Sequence, residues 1–152
     1  MINKESTIKK YKKYMIAVLI LIVLLIIFLI LRERSDQKTS ITNYVKKNQV
    51  ELELYVNEVL KNRPVENEKY HNYTVSYYEN QVQFDVSAFG LVTNTIYKGF
   101  YYSVDGNPCG FQGTVVDFTK DGNGWKWEEM DGDNWEYTEK IMDHWFYYEI
   151  HF

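Results

Sequence analysis

Seventeen consecutive residues, Met15–Leu31 (MIAVLILIVLLIIFLIL), carry no charged or strongly polar side chain, and no polar stripe breaks the run at helical spacing. A helix rises about 1.5 Å per residue, so the run covers roughly 26 Å of the roughly 30 Å hydrocarbon layer of a bilayer. Tyr11 and Tyr14 extend it toward a lysine-rich start, where rings and lysine stems suit the interface. The pattern predicts a transmembrane helix over residues 14–31, behind a basic tail of residues 1–13. Residues 32–38 (RERSDQK) form a polar exit without Gly or Pro, so a helix can run on through them.

Beyond the exit, Ile41, Tyr44, Val45, Leu52, Tyr55, Val56, Val59 and Leu60 recur at helical spacing with one gap near Asn48. Thr39 or Ser40 can cap the start and Pro64 stops the pattern, which predicts a helix over about residues 40–62. The periodicity then switches to two. Strands are expected at Tyr70–Tyr78, Gln81–Phe89, Ile96–Val104, Gly113–Thr119, Trp125–Glu129 and His144–Phe152. Glu79-Asn80, Asp105-Gly106-Asn107-Pro108, Asp121-Gly122-Asn123-Gly124 and Asp131-Gly132-Asp133-Asn134 supply turn chemistry, and Gly90–Thr95 reads as a loop. Trp135–Asp143 is ambiguous between strand, helix and loop. The expected architecture is α+β: an N-terminal transmembrane helix, then a domain over residues 39–152 in which a helix packs on an antiparallel sheet of about five to six short strands.

A cleaved export signal is the competing reading of the apolar run, but it exits into Leu31-Arg32-Glu33-Arg34 rather than small residues. An uncleaved anchor is the better reading. Five lysines precede the span, against Arg32, Arg34 and Lys38 close behind it, which places the N-terminus in the cytoplasm and the domain outside. The first 31 residues carry a net charge of +4 and the remaining 121 a net charge of −8. That acidity argues against nucleic acid as a partner, whereas the basic tail suits anionic lipid. The single cysteine, Cys109, rules out an internal disulfide framework and leaves either a pairing between chains or a buried thiol.

No motif points to catalysis, and no catalytic residue, metal ligand set or cofactor is assigned. The EF-hand spacing fails at both Asp-Gly turns, since Trp125 and Trp135 fall where an oxygen ligand is required. His71, His144 and His151 stand at no zinc spacing. Asp117, Glu128 and Glu129 are the carboxylates a cell-wall hydrolase would need, but any acidic surface supplies as many. The unusual quantity is aromatic: four Trp, twelve Tyr and seven Phe fall within residues 32–152. Such density builds either a core of rings or a surface awaiting a partner. Trp125, Trp127, Trp135 and Trp145 are the candidate binding platform, for an envelope protein, a peptide or a glycan. On the last strand Trp145 and Tyr147 share one face while Phe146, Tyr148, Ile150 and Phe152 share the other. One face enters a core; the other needs a second layer or a ligand.

The stretches GFYYSVDGNPCGFQG and DGNGWKWEEMDGDNWEYTEKIMDHWFYYEIHF, within residues 97–152, resemble the C-terminal part of small single-pass membrane-anchored proteins of Gram-positive bacteria that carry no assigned activity. The resemblance implies a location in the envelope and no catalytic residue. The expected function is therefore a membrane-anchored extracytoplasmic binding domain, non-enzymatic. The alternatives are a structural subunit of a membrane complex, with the span as interface, or a cell-wall hydrolase.

Overall fold

A computed structural model describes residues 4–62, 66–91 and 94–152. The chain divides into two compact units, residues 1–39 and 40–152. Residues 4–39 of the first belong to helix α1 (Lys4–Lys47), whose backbone runs without interruption through residues 32–38. Within α1 the window Lys12–Leu29 has a mean hydropathy of 2.6, and none of it is buried. This is one N-terminal apolar helix of the kind that serves as a membrane anchor or a signal sequence.

In the second unit the end of α1 and helix α2 (Gln49–Asn62) form the helical layer. The predicted single helix is interrupted at Asn48, where the apolar stripe has its one gap. Tyr44 O accepts both the Asn48 backbone N–H (3.0 Å) and its side-chain Nδ2 (2.8 Å), and Asn48 O accepts from Leu52 N (3.0 Å). The chain thus passes the break with its i to i−4 hydrogen bonds intact. The buried stripe Ile41, Val45, Leu52, Val56 and Val59 runs across the break. The stop at Pro64 lies outside the described residues.

The sheet has eight antiparallel strands, more than expected: β1 (Glu68–Tyr70), β2 (Tyr73–Tyr78), β3 (Gln81–Leu91), β4 (Asn94–Ser103), β5 (Thr119–Asp121), β6 (Gly124–Glu128), β7 (Trp135–Met142) and β8 (Trp145–His151). The difference has local causes. The expected strand 70–78 folds into the β1–β2 hairpin through a turn in which His71 takes φ 52°. The ambiguous stretch from Trp135 becomes β7. The expected strand 113–119 is irregular until Thr119, because β5 pairs with β6 only from that residue. The order β1-β2-β3-β4-β8-β7-β6-β5 describes two four-stranded meanders joined where β4 pairs with β8. Of the loop expected at Gly90–Thr95, residues 92 and 93 lie outside the described residues.

Both faces of this sheet are covered. On one, the helical stripe buries against Val75, Val82, Phe84, Phe100, Trp145 and Tyr147. Phe84 and Phe100 stack with centroids 4.7 Å apart, and Tyr44 reaches from α1 to Tyr73 and Phe100. On the other face Tyr101, Phe146, Tyr148 and Ile150 form a second core with Cys109 and Phe111. Tyr148 fits there because Gly99, beside it on β4, has no side chain: a Cβ at Gly99 would lie 2.7 Å from the Tyr148 ring and 2.1 Å from Phe84 O. The second layer that the apolar parity of β8 demands is therefore the chain itself, in the connection between β4 and β5.

Candidate functional site

Strand register decides where the four tryptophans fall. Trp125 and Trp127 stand opposite Thr138 and Glu136, on the face of the second core. Both rings are half-buried. Trp125 packs on Phe146 (6.2 Å between centroids), and Lys120 Nζ lies 3.9 Å from its ring centre. Trp135 lies on the helix-side face, stacked on His151 at 3.8 Å. Trp145 is fully buried in the helix-side core, with Phe84 and Phe100 each 6.0 Å away. The four rings therefore do not make one platform. Trp125 and Trp127 share one face, Trp135 and Trp145 lie on the other, and Trp145 is a core residue. The reason is that side chains alternate across each strand, so rings on three strands share a face only if the register allows it.

The face that carries Trp125 and Trp127 also carries polar side chains that grip the connection 104–118, here called the strap. Its buried part is short: Cys109, Gly110 and Phe111, ending in a 3-10 turn at Phe111–Gly113 with Gln112 at φ 55° and ψ 33°. Four hydrogen bonds hold its backbone to side chains of three strands. Cys109 N donates to Tyr101 Oη, Gln81 Nε2 donates to Gly110 O, Phe111 N donates to Glu136 Oε2 and Gln112 N donates to Gln83 Oε1, each at 3.0 Å. The carbonyl of Gly110 and the N–H of Phe111 belong to one peptide plane and point in opposite directions. That plane is clamped between Gln81 on β3 and Glu136 on β7. Gly110 keeps the turn tight, since a Cβ there would lie 2.5 Å from Thr114 O.

A polar network supports the clamp. Tyr101 Oη and Thr138 Oγ1 are 2.8 Å apart, and Thr138 Oγ1 donates to Tyr147 O at 2.9 Å. Asp85 accepts from Gln83 Nε2 (2.7 Å) and from the Tyr148 hydroxyl. At the start of the strap Asp105 accepts from Asn107 N, Asn107 Nδ2 and Ser103 Oγ, which holds its carboxyl below the usual range, the Asn107 backbone N–H contributing most. Burial acts the other way on Tyr101, Tyr148 and Cys109, whose ionisation it pushes upward. Glu136 is the exceptional group. It is 1% exposed, its Oε1 has no partner among the described residues, and burial raises its carboxyl to about 7 against the single opposing Phe111 N–H.

On the helix-side face a second charged group gathers around Glu149, which is 4% exposed. Its carboxylate meets Lys98 Nζ at 3.8 Å, His151 Nε2 at 2.9 Å and the Tyr147 hydroxyl at 3.1 Å. Of the carboxylates weighed for hydrolysis, Asp117, Glu128 and Glu129 are all exposed, and Glu128 pairs with Lys126. Among the described residues no group of three or more His, Cys, Asp or Glu is placed to hold a metal. The gripping residues Gln81, Gln83, Tyr101 and Glu136 are not singled out by sequence pattern. The available signal is indirect: polar side chains alternating with Val82 and Phe84, beside a terminal strand apolar on both faces.

No family model, curated protein or solved structure matches this chain.

Proposed function

We propose that this chain is a single-pass membrane protein of the cell envelope, N-terminus cytoplasmic, that displays its sheet domain outside the cytoplasm as a non-enzymatic binding module. The observation that carries the reading is the exposure of the apolar window Lys12–Leu29, none of it buried. A core helix of a soluble protein would be buried, so lipid is the solvent that matches this one. The continuity of α1 supports an anchor over a cleaved signal. The same helix that holds the window ends in Ile41 and Val45, which are built into the domain core.

The binding surface proposed is the stretch of β6 with Trp125 and Trp127, two half-buried rings about 6.6 Å apart along the strand. That spacing suits an envelope protein, a peptide or a glycan. Glu136 is buried at 1% exposure and is no part of this proposed surface.

The test has two arms. Full-length protein should stay with the membrane through an alkaline carbonate wash, and protease added to intact cells should digest the domain; release by the wash overturns the anchor. A photo-reactive group at position 127 should then form envelope adducts in intact cells that the Trp125→Ala variant loses with its circular dichroism unchanged. Persistence of the same adducts in that variant overturns the binding surface.

A further inference from the structure

We propose that the strap is latched by Glu136, and that loss of the proton from this carboxyl loosens the strap and uncovers the aromatic face beneath it. Such a latch is independent of the membrane placement and follows from the geometry of the clamp.

The strap is anchored over a very short stretch. Cys109, Gly110 and Phe111 are buried, whereas Thr114, Val115 and Asp117 are exposed, Val115 at 96%. The strap's internal bonds, Gly110 N to Thr114 O and Thr114 N to Phe111 O, only tighten its turn. Its attachment to the sheet therefore rests on the clamp, the neighbouring side-chain bonds and the packing of Phe111. Glu136 holds the β7 side of that clamp with one oxygen while the other has no partner among the described residues, in a site that is 1% exposed. A neutral carboxyl is tolerable there. A carboxylate is not, because one N–H does not replace the hydration of an ion, and opening to water is the remedy.

Among the described residues, the groups around Glu136 supply no compensating cation. From β4 and β8 the titratable neighbours are Tyr101 and Tyr148, and from the strap Cys109; burial keeps all three neutral. From β6 the neighbours are Trp127, directly opposite, and Trp125. The charged groups farther out on this face are engaged elsewhere. Asp85 accepts from Tyr148, Lys120 lies over Trp125, Lys140 pairs with Asp143 at 2.9 Å and Asp105 is held by Asn107. His144 packs beside Gly106 at the start of the strap. The carboxyl value near 7 places the transition within the physiological range. Opening exposes Tyr101, Phe146 and Tyr148 beside Trp125, which widens the apolar face of β6.

Cys109 is the only cysteine and is 6% exposed within the buried part of the strap, so its reaction with a thiol reagent reports opening directly. The experiment uses the full chain in detergent micelles, with the unfolded chain at each pH as reference, which cancels thiol ionisation. Protection of Cys109 should fall at least about tenfold between pH 6 and pH 8 in the wild type and stay constant in Glu136→Gln, which also separates any contribution of His144. A pH-independent wild type, or an equal fall in the variant, overturns the proposal. If Glu136→Gln does not fold, hydrogen exchange of the wild type decides. The Phe111 and Gln112 amides should lose protection over this range while those of β8 keep theirs. Parallel loss in both places means global unfolding, and the latch is then rejected.

Discussion

The two faces of the sheet are closed by different kinds of chain, and the contrast explains their different chemistry. On the helix side the covering layer is regular. α2 and the end of α1 bond their own backbone, so the interface needs only apolar contact, and Leu52, Val56 and Val59 meet Val82, Phe84 and Trp145. On the strap side the cover is irregular; its tight turn pairs some backbone groups internally, such as Gly110 N with Thr114 O, and the rest need partners from outside. The sheet supplies them from Gln81, Gln83, Tyr101 and Glu136. A core closed by a helix can be dry; a core closed by a loop has to be polar.

The largest way to probe this contrast is on the helix side. Trp145→Ala removes a fully buried ring from a layer that cannot swing away. It should cost about 3–5 kcal/mol in denaturant unfolding, enough to leave little folded protein. Next comes the titration of Glu136. Its folded carboxyl lies at about 7, above the ordinary value of 4.5, because burial disfavours the charge. Stability is therefore fullest below the ordinary value and is lost as pH rises to about 7. The total loss is at most about 3 to 4 kcal/mol, since each pH unit between those two values is worth roughly 1.4 kcal/mol. Thermal unfolding across pH 4–8 should show this slope in the wild type and not in Glu136→Gln.

Phe111→Ala tests the strap directly. Phe111 packs on Tyr97, Tyr148 and Phe152, and its loss should cost about 1.5–3 kcal/mol. The cost is capped because the strap can detach while the sheet survives, so Cys109 labelling should rise far more than β8 amide exchange. A cost equal to that of Trp145→Ala would erase the distinction between the faces. The smallest effect is expected four residues away. Val115 is 96% exposed, and Val115→Ser should change stability by less than about 0.5 kcal/mol.

The parts of this fold are unequally legible in the chain. The apolar stripe from Ile41 to Val59 and the alternation in Gln81–Phe89 are readable because neighbours within one element set them. Gln81 and Gln83 read as solvent-facing positions, yet they are buried, at 1% exposure each. Nothing local to β3 reveals that a chain segment some thirty residues on lies across them. Glu136 is hidden in the same way, since its neighbours across the register are Trp127 and Ile150 from other strands.

By itself the amino-acid order determined the apolar helix, the helical stripe behind it, the switch to period two and the Asp-Gly turns, all of which rest on spacing and on residues in immediate succession. Only the tertiary structure decided that the two meanders join through β4 and β8, that Trp125 and Trp127 part company from Trp135 and Trp145, and that the chain covers its own second face. Those outcomes depend on register between distant strands. A slip of one residue would send each ring to the opposite side, and no local pattern carries that information.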